Sequence, residues 1–137
     1  MEVIVDSNQT VEVLTVQERR PSRPQIPDVD GYLKKLKHKS SIFGSWTRRY
    51  FRVNPVLEQI EYFRNKDDVS NKPPSGSVSL PDITSIKLFD DCSFQIEAKP
   101  DVYLLRASSV AEQTCWIQSI NKYIRERQEY ERFMSVQ

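Results

Sequence analysis

The sequence predicts a mainly β fold in which seven short antiparallel strands form a sandwich or barrel, followed by one C-terminal amphipathic α-helix. Three observations carry that reading. Turn residues punctuate the chain at nearly regular intervals from Gly31 to Ala107, the spacing of an antiparallel all-β architecture. Beyond Ala107 the apolar period changes from two to about 3.6. No strand follows the helix, so it is no crossover between parallel strands and must pack on the β-structure or on a partner.

Residues 1–29 stand apart as an N-terminal extension and linker, expected to be largely disordered. Val11 to Val16 is β-branched and makes a strand candidate at 11–16, whereas Glu18 to Asp28 carries prolines at 21, 24 and 27. Proline removes backbone donors and holds the chain extended, so this stretch reads as a solvated linker. The domain proper is expected over 30–128. Its strands are Tyr32 to Lys37, Trp46 to Val53, Leu57 to Phe63, Gly76 to Leu80, Ile83 to Leu88, Phe94 to Ala98 and Val102 to Ala107. The turns between them fall at Lys39–Ser45, Asn54-Pro55, Arg64 through Pro74, Pro81-Asp82, Asp90-Asp91 and Lys99-Pro100-Asp101.

Ser109-Val-Ala-Glu112 has the form of a capping box, in which the serine hydroxyl takes an orphan amide and the glutamate reaches back. Behind it Trp116, Ile117, Ile120, Tyr123 and Ile124 fall on one stripe. The stripe continues through Tyr130, Phe133 and Met134, so residues 129–137 form a helix extension or tail. Three destinations are open for it: the outside of the barrel, the Val11–Val16 segment, or a protein or oligomer contact. Fraying is the default for a terminus.

Composition closes off several chemistries. A chain of 137 residues suits a single domain, and 38% hydrophobic content is enough for one core. One histidine (His38) and two cysteines (Cys92, Cys115) build no conventional zinc site, so no metal and no cofactor is expected. Three glycines leave no phosphate-cradling nucleotide loop. No Ser or Cys has a plausible His partner and no carboxylate pair is recognisable, so no catalytic residue is assigned and the chain reads as non-enzymatic. No run approaches the about 18 apolar residues of a membrane span. The expectation is a cytoplasmic protein with reduced thiols. A net charge of +1 argues against an indiscriminate nucleic-acid binder, so no nucleic-acid partner is expected.

That net charge hides an asymmetry. Lys34, Lys35, Lys37, Lys39, Arg48, Arg49 and Arg52 follow one another with no acidic residue between. Side chains alternate across a strand, so Leu33, Lys35 and Lys37 share a face, as do Thr47, Arg49, Phe51 and Val53. A turn centred on Ile42 pairs Leu33 with Phe51, Lys35 with Arg49 and Lys37 with Thr47. Two cations directly opposed are unfavourable unless an anion or solvent separates them. An inward Lys35/Arg49 pair at the open end of a small barrel suits a multiply phosphorylated ligand. The competing reading is a solvated strand edge that blocks aggregation. Ile42 and Phe43, apolar at the tip of the basic loop, either insert shallowly into lipid or fold back on the barrel.

Five pieces in order resemble one family. Gly31-Tyr-Leu-Lys-Lys35, Trp46-Thr-Arg-Arg-Tyr-Phe-Arg-Val53, Ile60-Glu-Tyr-Phe63, Gly76-Ser-Val-Ser-Leu80 and the helix residue Trp116 together look like a pleckstrin homology (PH) domain. The resemblance covers about residues 30–127 and implies a partly open seven-stranded barrel closed at one end by the helix. It implies further that Lys35 and Arg49 match the basic residues with which phosphoinositide-binding members hold phosphates, and that Tyr62 matches a tyrosine that often touches one. Thr47 departs from the stronger binders, which have a basic residue there, and Arg48 points to the opposite face. Ser75 stands where a basic residue often precedes the fourth-strand glycine, with Lys72 near enough to compensate. These departures fit moderate, charge-driven binding.

The functional expectation is a membrane-recruitment or signalling-adaptor module that binds inositol phospholipid headgroups in anionic membranes. Lys35, Lys37, Lys39, Arg49, Tyr62 and Lys72 are its headgroup residues, Ile42 and Phe43 its membrane-contact loop, and its location is cytoplasmic with peripheral membrane association. The alternative is a protein-interaction scaffold of the same fold with little lipid affinity, docking through the C-terminal helix.

Overall fold

The computed structural model describes residues 21–36 and 45–136. The Val11–Val16 segment and the loop residues Lys37, Lys39, Ile42 and Phe43 lie outside the described residues. Seven strands follow in order: β1 (Asp30–Leu36), β2 (Trp46–Asn54), β3 (Gln59–Phe63), β4 (Gly76–Ser79), β5 (Ser85–Leu88), β6 (Ser93–Ala98) and β7 (Asp101–Arg106). Among the described residues there is one α-helix, α1 (Val110–Ser135), and two short 3-10 turns at Lys66–Ser70 and Leu80–Asp82. The strands form one antiparallel sheet in the order β4-β3-β2-β1-β7-β6-β5. The order leaves β4 and β5 as its two edges, an open rather than a fully closed barrel.

Alternation decides which side chains go inside. Leu33, Phe51, Ile60, Val78, Phe94, Ile96 and Leu105 point inward and are buried. The helix stripe then fills the remaining space, with Trp116, Ile120, Tyr123 and Ile124 buried and Ile117 packed against them. The Trp116 ring stands edge-on to Phe51 and is stacked with Phe94, with centroids 6.4 Å apart in both cases.

Polar contacts fix where the helix starts and where it lies. Ser109 Oγ accepts from the Glu112 amide at 3.1 Å, as the capping box requires. Glu112 reaches one residue further back than expected, accepting from the Ser108 amide at 3.3 Å and the Ser108 hydroxyl at 2.6 Å. The buried Gln113 side chain donates to the Asp90 and Ser93 carbonyls, both at 2.7 Å, and ties the helix to the β5–β6 turn. Four turns on, the Arg127 guanidinium donates to the Leu80 and Ile83 carbonyls at 3.0 and 2.9 Å. It thereby satisfies backbone acceptors in the β4–β5 connection.

Residues 21–29, read from sequence as solvated linker, pack on this body. Pro27 and Val29 are buried and Ile26 lies against the core. The Gln25 amide donates to Glu126 at 2.9 Å and Lys122 donates to the Gln25 side chain at 2.8 Å. Tyr130 borders a groove of about 400 Å³ with Arg23, Pro24 and Ile26, whereas Met134 is exposed.

The expected hairpin register does not form. β1 and β2 pair two residues away from it, matching Gly31 with Phe51, Leu33 with Arg49 and Lys35 with Thr47. A shift of two leaves every side chain on its face and changes only its neighbour. The outer face explains the choice. This register sets Tyr32 opposite Tyr50, edge-to-face at 5.3 Å, and brings the Tyr50 hydroxyl to donate to Asp30. It also sets Asp30 opposite Arg52.

Candidate functional site

Inward alternation places four polar side chains beyond the Leu33–Phe51 core layer: Lys35 on β1, Thr47 and Arg49 on β2, and Tyr62 on β3. Lys35 and Arg49 are therefore diagonal rather than opposed, because Thr47 faces Lys35. Lys35 Nζ sits 5.5 Å from the Tyr62 ring centre and 6.0 Å from that of Tyr103. The three line a cavity of about 180 Å³ with Leu36, Asp101 and Val102.

Tyr62 is held from two sides. Its ring lies 5.1 Å from that of Phe51. On the next strand it covers Gly76, where an added Cβ would stand 2.2 Å from the phenol oxygen. Any side chain at 76 displaces the ring, which is why glycine opens β4. Burial pushes the Tyr62 hydroxyl upward, the Arg49 charge pulls it down, and the Asp101 charge adds to the rise. Tyr103 is raised likewise, by burial first and then by Asp101 and Tyr62. The phenols stay protonated at neutral pH and remain donors to an anion.

Of the residues expected from sequence, Lys35 and Tyr62 line one cavity; Arg49 is not among its lining residues, its guanidinium donating to the Arg48 carbonyl at 2.9 Å while its charge acts on Tyr62. Lys72 does not line that cavity. It pairs with Asp68 at 3.7 Å and borders a separate cavity of about 210 Å³ with Phe63, Arg64 and Ser75. Phe63 neighbours Tyr62 in sequence and so faces the other side of β3. Lys37, Lys39, Ile42 and Phe43 lie outside the described residues.

Asp101 and Tyr103 were not anticipated. Leu105 is the signal that locates them: it is buried opposite Lys35, and counting back by twos along β7 puts Tyr103 and Asp101 on the same inward face. Among the described residues, no group of three metal-binding side chains occurs and no helix is long and apolar enough to cross a membrane.

The outer face of the same strands carries its own polar structure. Glu61 is buried and accepts from Arg52 at 3.1 Å, Asn54 at 2.9 Å and Gln59 at 2.8 Å. Burial alone would raise its carboxyl. The hydrogen bonds from Gln59, Asn54 and Arg52, with the Arg52 charge, overcome that and hold it below its ordinary value. Beside it the Tyr50 hydroxyl is pushed up to about 12, by burial first and then by its bond to Asp30.

Comparison with known proteins agrees with this architecture. The chain is 29% identical over 132 residues to mouse Rho GTPase-activating protein 22, a match covering 82% of the chain and 18% of that protein. The chain thus spans under a fifth of the length of that relative. The human oxysterol binding protein-related protein 11 PH domain superposes with a TM-score of 0.61 at 27% identity, covering 80% of this chain and 88% of that one. The C-terminal PH domain of pleckstrin, solved in complex with an inositol pentakisphosphate, superposes at 0.55 with 24% identity, covering 69% and 94%. The profile of the PH domain family matches residues 27–125, and the chain belongs to that family.

Proposed function

We propose that this domain binds phosphoinositide headgroups at anionic membranes and so recruits the protein that carries it to a cytoplasmic membrane face. The observation that supports this best is the small cavity lined by Lys35, Tyr62 and Tyr103, where an ammonium stands beside two protonated phenols and the Arg49 charge acts on Tyr62 from the neighbouring strand. Lysine acts on a phosphate as a point charge and arginine engages it through a fork. The basic Lys37–Lys39 stretch continues the same cation-only sequence. That a pleckstrin PH domain of the same fold holds an inositol pentakisphosphate fits the reading.

Two features argue for moderate affinity. Thr47 supplies no charge opposite Lys35, and Asp101 places a carboxylate on the cavity wall. Each basic residue near an anionic leaflet contributes about 1 kcal/mol, so removing Lys35 and Arg49 together should weaken binding by about 30-fold. Co-sedimentation with vesicles over a phosphoinositide panel tests this. Wild type should pellet with phosphoinositide vesicles and Lys35→Ala/Arg49→Ala should not. Equal pelleting of both proteins would refute the pocket. Binding of neither to any lipid would leave the protein-interaction reading.

A further inference from the structure

We propose that Ser22 is a phosphorylation site for a serine kinase that reads arginine, and that the phosphate loosens the strap of residues 21–29 from α1. The site shares no residue with the Lys35 cavity and does not depend on it. Adjacent arginines occur twice in the chain, at 19-20 and 48-49, and a serine follows two residues later only in Arg19-Arg20-Pro21-Ser22. Kinases select substrates by charge pattern. A cleft lined by carboxylates takes guanidiniums placed two and three residues before the hydroxyl through charge-assisted hydrogen bonds. It also takes its substrate extended, and prolines at 21 and 24 hold the chain so. Ser22 is exposed. Among the described residues, the first hydrogen bonds of the strap to the helix come later, at Gln25. In the transfer, Ser22 Oγ bonds to the γ-phosphorus of ATP and the bond from that phosphorus to the β,γ-bridging oxygen breaks. ADP leaves, and the hydroxyl proton passes to the kinase's carboxylate base.

The surroundings decide what the phosphate does. Gln25 lies at Lys122 and Glu126, whereas Arg23 shares a groove with Tyr130 and Glu131. Followed back toward Ser22, the strap therefore runs along α1 toward the C-terminal end of the helix. Unpaired carbonyls give that end a negative partial charge, and Glu126 and Glu131 add two carboxylates. The cations beside them are engaged. Lys122 pairs with Glu126 at 3.2 Å, and Arg127 donates to the Leu80 and Ile83 carbonyls. Arg132, in the last turn, follows Glu131 and so projects about 100° round the helix from it. Arg23 belongs to the strap and moves with it, so pairing with the phosphate does not hold the strap to the helix. A phosphoserine carries a charge of about −1.5 to −2, and beside a helix C-terminus and carboxylates it disrupts.

The full chain is incubated with ATP and the catalytic subunit of cyclic-AMP-dependent protein kinase, and the phosphate is mapped by peptide mass spectrometry. Ser22 should be modified ahead of Ser40 and Ser75, which follow single lysines, Lys37 and Lys72, by three residues. Arg19→Ala/Arg20→Ala should slow the modification by about tenfold for each arginine removed. No phosphate at Ser22, or a rate indifferent to the two arginines, would overturn the site. Hydrogen exchange then reads the strap. The Gln25 amide, which donates to Glu126, should exchange about fivefold faster once Ser22 is phosphorylated, while the amides of β2 and β6 keep their rates. Ser22→Ala treated with the same kinase should retain the slow Gln25 rate. Equal or slower exchange at Gln25 in the phosphorylated protein, or acceleration in treated Ser22→Ala as well, would overturn the loosening.

Discussion

The two ends of the outer face on β1, β2 and β3 handle positive charge in opposite ways. At one end Arg52 stands directly across from Glu61, and that buried carboxylate gathers three donors. At the other, Lys34 stands between Arg48 and Arg106, and no carboxylate enters the row. Both ends belong to one sheet and both use Arg on β2, so strand geometry does not account for the difference. Neutralised charge at the first end serves the fold. The uncompensated charge at the second costs the fold stability.

The sharpest way to break this contrast is to remove the carboxylate. Glu61→Ala leaves Arg52, Asn54 and Gln59 facing a void, and should cost about 2–4 kcal/mol in urea unfolding at neutral pH, because breaking a buried pair strands its partner. The effect should depend on pH. The Glu61 carboxyl titrates below its ordinary value of 4.5 when folded, so its stabilisation is fully present above that value and is lost as pH falls through the folded one. The gap between wild type and Glu61→Gln should therefore be widest above pH 4.5 and close below it. A gap independent of pH would mean that Glu61 acts by packing alone.

The sequence showed the faces of these strands but not their partners. Alternation put Leu33, Lys35, Arg49 and Phe51 on one side, and the structure agrees. Register was beyond its reach, because a shift of two residues preserves every apolar pattern. The information that selected it sits on the outer face, in the Tyr32–Tyr50 contact and the Asp30–Tyr50 bond. The like-charge argument that led to Lys35 and Arg49 was physically sound and applied to the wrong pair. With the observed register it selects Lys34 and Arg48. The start of the helix and its buried face were legible, since a cap and a stripe are local signals, whereas its run to Ser135 was not. The docking of residues 21–29 was not, because prolines specify an extended chain without saying what it lies against.

A smaller perturbation separates the rigidity of the cationic end from its charge. Tyr32→Leu keeps an apolar side chain but removes the platform beneath Arg48, the edge contact with Tyr50 and the acceptor for the Lys66 amide. It should cost about 1–2 kcal/mol. An unchanged stability would mean that the stacked geometry is incidental to the fold.

The smallest effect expected is also the one with the less usual sign. Lys34→Glu replaces the central cation of the row with an anion set directly between Arg48 and Arg106. Cross-strand pairs of opposite charge contribute about 0.2–1 kcal/mol, and like charges cost a similar amount. The variant should therefore be more stable than wild type by about 0.5–1 kcal/mol in low salt. Lys34 and Arg48 are exposed and Arg106 is half-buried, so the gain should shrink as ionic strength rises and the Debye length falls below about 10 Å. Melting temperatures measured across a salt series would show the two proteins converging. A loss of stability at low salt would mean that the three cations are not in conflict.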